Sequence, residues 1–399
     1  MLNHTSSAPR SSRRWIALSL VTLLVACAES RGSLSAGTAA VQRSVEADSA
    51  FARLITQLSE PGGYFDTDNL ISNETSYLHV VGKLEELTFR GGAYIGVGPD
   101  QNFSYIGHVR PYVAFIIDIR RDNLLQHLLF KSLFSLSRNR IDYLCLLFAR
   151  TCPADIAGWD KRDVGELIDY IDSAATNPDH SAAVLATVAE RSASFGLELT
   201  AADLQTIRAF HSTFIREGLG LRFSSHGRRP RSYYPTYRQL LLERDLSGRQ
   251  ASYLASEADF QFIKRLQEND LIVPVVGDLA GEHALVAIGR EIAKRGLAVS
   301  AFYTSNVEYY IMRDRGFDRF IANVGALPYN DRSVIIRSFF GRNFGYLHPQ
   351  AVSGYYSVQL LQNIDELLNA YAAGGYRSYF DLITNNVIEL GVPARATGN

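Results

Sequence analysis

Four short turns in the 399-residue chain carry side chains that could bind or transform a small molecule. Each ends an apolar run. Ala93 to Val97 leads into Gly96-Val97-Gly98-Pro99-Asp100, and Tyr112 to Ile119 carries Asp118 near its end. Leu271 to Val276 leads into Gly277-Asp278-Leu279-Ala280-Gly281, and Ala298 to Tyr303 into Thr304-Ser305-Asn306-Val307-Glu308. Glycines in such a turn let a ligand approach the backbone, and a carboxylate about 20 residues further on can hold ribose hydroxyls. Asp118 stands at that distance from Gly98. Gly96, Gly98, Asp100 and Asp118 are therefore the candidate cofactor-binding residues, and Asp278, Asn306 and Glu308 the candidate catalytic ones.

Each position also has a structural explanation. The two glycines could serve only a tight strand-to-helix turn. Asp118 could pair with Arg120 or Arg121, Asp278 and Asn306 could cap the helices that follow them, and Glu308 suits a solvated first helical turn. What favours a site is the set: in an open α/β sheet, ligands bind outside the carboxyl ends of the strands.

The elements that must position these turns follow from the hydrophobic pattern. Continuous apolar runs such as "YVAFIIDI" suit strands covered on both faces, the arrangement of a parallel sheet. Helical patterns between them make βαβ units, clearest over residues 271–303, with Gly296 as a helix C-cap. "RSVIIRSFF" predicts a further strand, and "YYSVQLLQNIDELLNAYAAGG" a helix ended by Gly374-Gly375. Residues 124–150 form a long helical pattern, and a helical block follows from about 155 to 265, with starts at Asp160 and Thr200. The expected fold is α/β: a doubly wound, mostly parallel, Rossmann-like sheet spanning 49–399, with that block as an insertion.

The first turn is not the dinucleotide fingerprint, because Gln101 replaces its third glycine, and no G-K-[ST] phosphate loop is present. "YIGVGPD" instead resembles the first motif of class I S-adenosylmethionine-dependent methyltransferases, acidic-x-G-x-G-x-G, through Gly96 and Gly98. It departs at Tyr94 and at Asp100, where the acidic residue and the third glycine would stand. The resemblance implies S-adenosylmethionine as cofactor, with Asp118 on the ribose, Gly96 and Gly98 along the methionine moiety, and Asp278 near the transferred group. "PVVGDLAG" and "AFYTSNVEYY" also resemble an uncharacterised family of bacterial proteins, which implies no activity.

Other classes are less well supported. With 47% hydrophobic and 20% charged residues the chain is globular, and a formal net charge of -1 gives it no reason to seek nucleic acid. No G-x-S-x-G elbow marks a serine hydrolase, and Asp278 with His283 alone makes no metal set. The basic, aromatic segment 224–239 could meet phosphate or headgroups, or be a solvated loop.

The N-terminus reads as an export leader. Arg13-Arg14 precedes the apolar run Trp15 to Ala26, which is shorter than a bilayer-spanning helix. Leu24-Val25-Ala26-Cys27 resembles the lipobox of bacterial lipoprotein signals, which implies cleavage before Cys27 and lipidation of its thiol. Residues 1–26 are then a signal peptide and 27–48 a small, polar tether. The expected location is the bacterial cell envelope, lipid-anchored to a membrane and facing the periplasm. Export by the general or the twin-arginine route stays open, as does the state of Cys145 and Cys152, a disulfide or two thiols. The functional expectation is a methyltransferase-like lipoprotein domain with a small-molecule ligand. Its alternative keeps the fold as a non-catalytic binding or structural lipoprotein.

Overall fold

The structure is a computed structural model that describes residues 49–67, 69–226 and 231–391. The signal peptide, the tether and the Cys27 site lie outside the described residues. The large compact unit starts at Phe51.

Its centre is a six-stranded sheet in the order β3-β2-β1-β4-β5-β6. The strands are β1 (Ala93–Gly96), β2 (Val113–Asp118), β3 (Ile272–Val276), β4 (Val299–Ser305), β5 (Val334–Phe339) and β6 (Val358–Asn363). The first five are mutually parallel, and β6 runs antiparallel to β5. This is the expected doubly wound, mostly parallel architecture. β1, β3 and β5 are buried at every position, because helices cover both faces of the sheet. The chain turns outward in opposite directions from β1, so β1 and β4 flank the point where strand order reverses.

β6 corrects the expected helix at 355–375. Val358, Leu361, Ile364 and Leu367 repeat at a helical spacing, yet only Ile364–Ala372 is helical. The open edge of β5 takes Val358–Asn363 as a partner, with Gln359 and Gln362 buried between polar groups of the sheet. Edge pairing outweighs a local period that fits either element.

The crossover from β2 to β3 carries the helices Val164–Ser173, Pro178–Ala193, Ala201–Glu217 and Glu257–Glu268, which share one hydrophobic core with the sheet. The first starts one turn later than expected: Asp163, not Asp160, accepts from the Glu166 amide in a capping box. Asp160 is used elsewhere, accepting from Asn139 Nδ2 at 2.5 Å. Thr200 caps its helix as expected, accepting from the Asp203 amide.

Candidate functional site

A cavity of about 620 Å³ opens at the carboxyl ends of β1 to β4. Gly98, Asp118, Asp278 and Asn306 all line it, so turns distant in sequence meet around one hollow at one rim of the sheet. The volume lies within the range of small-molecule sites.

Gly98 enters the cavity wall because its backbone is left-handed, with φ +81°. The turn around it is braced from behind. Asn102 Nδ2 donates to the carbonyls of Val97 at 2.9 Å and Pro99 at 2.7 Å. His127 donates from Nε2 to the Gly98 carbonyl at 2.9 Å, and burial lowers its imidazole to about 4, so it is neutral.

Gly96, expected to bind the cofactor, does not line this cavity. A Cβ there would stand 2.0 Å from Asn102 Oδ1 and 2.7 Å from the Tyr94 ring. Its hydrogen leaves room for Tyr94 to donate to Asn102 Oδ1 at 2.7 Å, which fixes the asparagine that braces the turn.

Asp100 also turns away from the cavity. Its carboxyl is buried among phenols, accepting from Tyr237 at 2.5 Å and Tyr253 at 3.2 Å. Burial raises its pKa to about 6 against the lowering effect of those two bonds.

Glu308, expected to be catalytic, also lies away from the cavity. It is fully buried, and its carboxylate is held by Arg337 through Nε at 2.8 Å and Nη2 at 3.1 Å. Arg337 also donates to Gln362 at 2.8 Å, so Glu308 ties the helix Val307–Arg313 to β5 and β6 and does not line this cavity.

The remaining candidates are engaged but reach the cavity. Asp118 Oδ1 accepts from the Arg120 amide at 2.9 Å and Nε at 3.0 Å, and Oδ2 from Nη2 at 2.8 Å. Three of its four acceptor positions are thus filled from one arginine. The pair is mostly buried, not the surface bridge that the sequence suggests. Asp278 Oδ1 accepts from the Ala280 amide at 2.9 Å and caps no helix. That role falls to Glu60, whose carboxylate accepts from the amides of Asp278, His283 and Ala284 ahead of the helix Ala284–Lys294. Asn306 precedes the helix Val307–Arg313 but makes no side-chain cap bond.

Several cavity residues escape sequence reasoning. Gln101 stands where a third glycine would be, and its side chain reaches across to β4, donating to the Tyr303 hydroxyl at 3.0 Å. Its Oε1 is buried without a partner, as is Oγ1 of Thr67. Both residues line the cavity. Phe65 and Tyr310 meet edge to face at 4.9 Å across its mouth, and Tyr233, Tyr234, Phe340 and Tyr356 form a second aromatic wall. The non-glycine Gln101 was the one signal available for these, since Thr67 and Phe65 arrive from a loop well before β1 with no periodicity to mark them.

Among the described residues, no group of three or more His, Cys, Asp or Glu side chains is arranged to hold a metal ion, and no helix is long and apolar enough to cross a membrane. Cys145 and Cys152 are thiols, buried and half-buried respectively.

No curated protein matches the chain. Residues 70–385, which include the whole sheet and nearly all of the cavity, match the family model described as Domain of unknown function (DUF7790), and the chain belongs to that family.

Proposed function

We propose that the protein is an envelope lipoprotein whose α/β domain binds a nucleoside-type small molecule, of the class of S-adenosylmethionine, in the crevice above β1 to β4. The observation that carries this reading is the pair of partnerless acceptors, Gln101 Oε1 and Thr67 Oγ1, buried in the wall of a cavity at the switch point of the sheet. A buried polar atom without a partner costs about 1–3 kcal/mol, and a ligand N–H or O–H would relieve it.

The residues present fit such a molecule in part. Gly98, lacking a Cβ and with φ +81°, lets an extended polar chain lie against the backbone. Asp118 keeps one acceptor position of four for a ribose hydroxyl, and Arg120 holds that carboxylate in place. The Phe65–Tyr310 pair supplies an aromatic surface for a base. Bound S-adenosylmethionine would supply an activated methyl group. Asp278 and Asn306, on the same wall, would position an acceptor beside it, since methyl transfer depends mainly on proximity.

Binding without catalysis is the second reading. It is favoured by Asp100 facing the interior and by the Arg120 charge neutralising Asp118, both of which weaken the cofactor set that the resemblance implies.

Titration calorimetry of the full-length chain with S-adenosylmethionine, S-adenosylhomocysteine and adenosine tests the proposal. A bound ligand at 100 times its Kd should stabilise the fold by about 2.7 kcal/mol. Gln101→Leu should lose most of that gain. Absence of heat and of thermal stabilisation with all three ligands rejects it.

A further inference from the structure

The cavity holds a second pair of side chains that nucleoside binding does not use. Ser305 closes β4 with a left-handed backbone, φ +54°, although it is not glycine. The register between β4 and β5 breaks between Tyr303 and Ser305, and the helix Val307–Arg313 follows at once. A Cβ in that conformation costs about 1–2 kcal/mol, which glycine would avoid. Strained residues of this kind cluster at functional sites. A serine raised on a strand-to-helix turn with strained backbone is also how nucleophile elbows present Oγ, and here the flanking glycines are absent from the sequence.

Ser305 Oγ donates to Glu74 Oε1 at 2.5 Å. Its one proton is directed at the carboxylate, so its lone pairs are left for other partners. Glu74 is 1% exposed and arrives from the loop before the helix Val81–Leu87, far from β4 in sequence. Its other oxygen accepts from Gln359 Nε2 at 2.6 Å, and Gln359 is itself anchored to Ser338 Oγ at 2.8 Å. No salt bridge to Glu74 forms among the described residues, and hydrogen bonds from Ser305 and Gln359 hold its carboxylate. Ser305, Glu74 and Asn306 all line the cavity. Nucleophile, base and a group orienting the base are thus in place.

We propose that Ser305 is a nucleophile, with Glu74 its general base, and that the crevice accepts a small carboxylic ester. A neutral carbonyl suits the site better than a phosphoryl group, whose negative charge Glu74 would repel. Ser305 Oγ bonds to the carbonyl carbon while its proton passes to Glu74 Oε1. The tetrahedral oxyanion, met by the Asn306 amide, expels the alkoxide, which takes the proton from Glu74. Water then attacks the acyl-serine, gives its proton to Glu74, and releases the acid as that proton returns to Ser305. The sum is ester and water to acid and alcohol. This inference needs only the crevice and does not rest on nucleoside binding.

The test treats the full-length chain with an alkyl fluorophosphonate and locates adducts by peptide mass spectrometry. One adduct on Ser305 is expected, absent in Ser305→Ala and formed at least about 100-fold more slowly in Glu74→Gln. Glu74→Asp, which keeps a carboxylate but withdraws it, should label at an intermediate rate. Thermal melting of each variant confirms that it is folded. A wild-type chain that gains no adduct overturns the proposal, as does an adduct on another residue or wild-type labelling in folded Glu74→Gln. Calorimetry with adenosine and S-adenosylmethionine is read separately on Ser305→Ala, so loss of labelling and loss of nucleoside binding remain distinct results.

Discussion

Truncating Glu308 tests whether the tertiary structure or the sequence pattern assigns its role. The sequence places it at a strand end among polar turn residues, which suggests catalysis. The structure buries it completely against Arg337, equally buried, with bonds of 2.8 and 3.1 Å. Glu308→Ala would leave a guanidinium without its counter-charge inside the protein, with only Gln362 to accept from it. Breaking a buried pair from one side costs about 3–5 kcal/mol. At about 2 °C per kcal/mol, the lower end of the range for long chains, the melting temperature should fall by about 6–10 °C. Removing both charges, as in Glu308→Leu with Arg337→Met, should recover most of that loss, because desolvation of each ion offsets much of their attraction. Differential scanning calorimetry of the wild type and the two variants measures this. Ligand binding and fluorophosphonate labelling, referred to folded protein, should be unchanged. The reasoning fails if Glu308→Ala melts like the wild type, or if the folded variant loses reactivity or binding.

The raised Asp100 pKa, about 6 in the fold against an ordinary 3.8, makes stability depend on acidity. The folded state holds the proton that the unfolded chain releases, so this contribution is complete below about pH 4 and is lost as pH rises through about 6. The wild type minus Asp100→Asn stability difference should therefore fall by about 3 kcal/mol across that window in denaturant titrations, and a flat difference would refute it. Gly96→Ala places a Cβ against Asn102 and the Tyr94 ring, and should cost about 1–3 kcal/mol in urea denaturation while weakening ligand binding through the displaced Gly98 turn. Cys27→Ser should abolish incorporation of labelled palmitate and release the protein from membranes, and labelling that persists would end the lipoprotein reading.

Strand positions and the polar character of each strand end were legible in the sequence. A strand buried on both faces has to be apolar throughout, and the chain has to leave it through small or polar residues. β1 to β5 announce themselves in this way. β6 did not, because Val358, Leu361, Ile364 and Leu367 satisfy a helical period as well, and only the unpaired edge of β5 decided between them.

The direction of each side chain at the strand ends was not legible. Asp100 and Gln101 are neighbours, yet one carboxyl sinks among tyrosines and the other side chain reaches the cavity. Two residues separate Ser305 from Glu308, and the turn between them sends one to the cavity wall and the other into the interior.

From the sequence alone came the sheet, its winding and the gathering of polar turns at its carboxyl rim, since these depend on hydrophobic burial that each segment carries within itself. The tertiary structure alone determined which groups meet there. Glu60, Thr67 and Glu74 arrive from before β1, and Gln359 from β6. Such meetings depend on how distant loops close over the rim, and hydrogen bonds between segments far apart in the chain leave no period in either one.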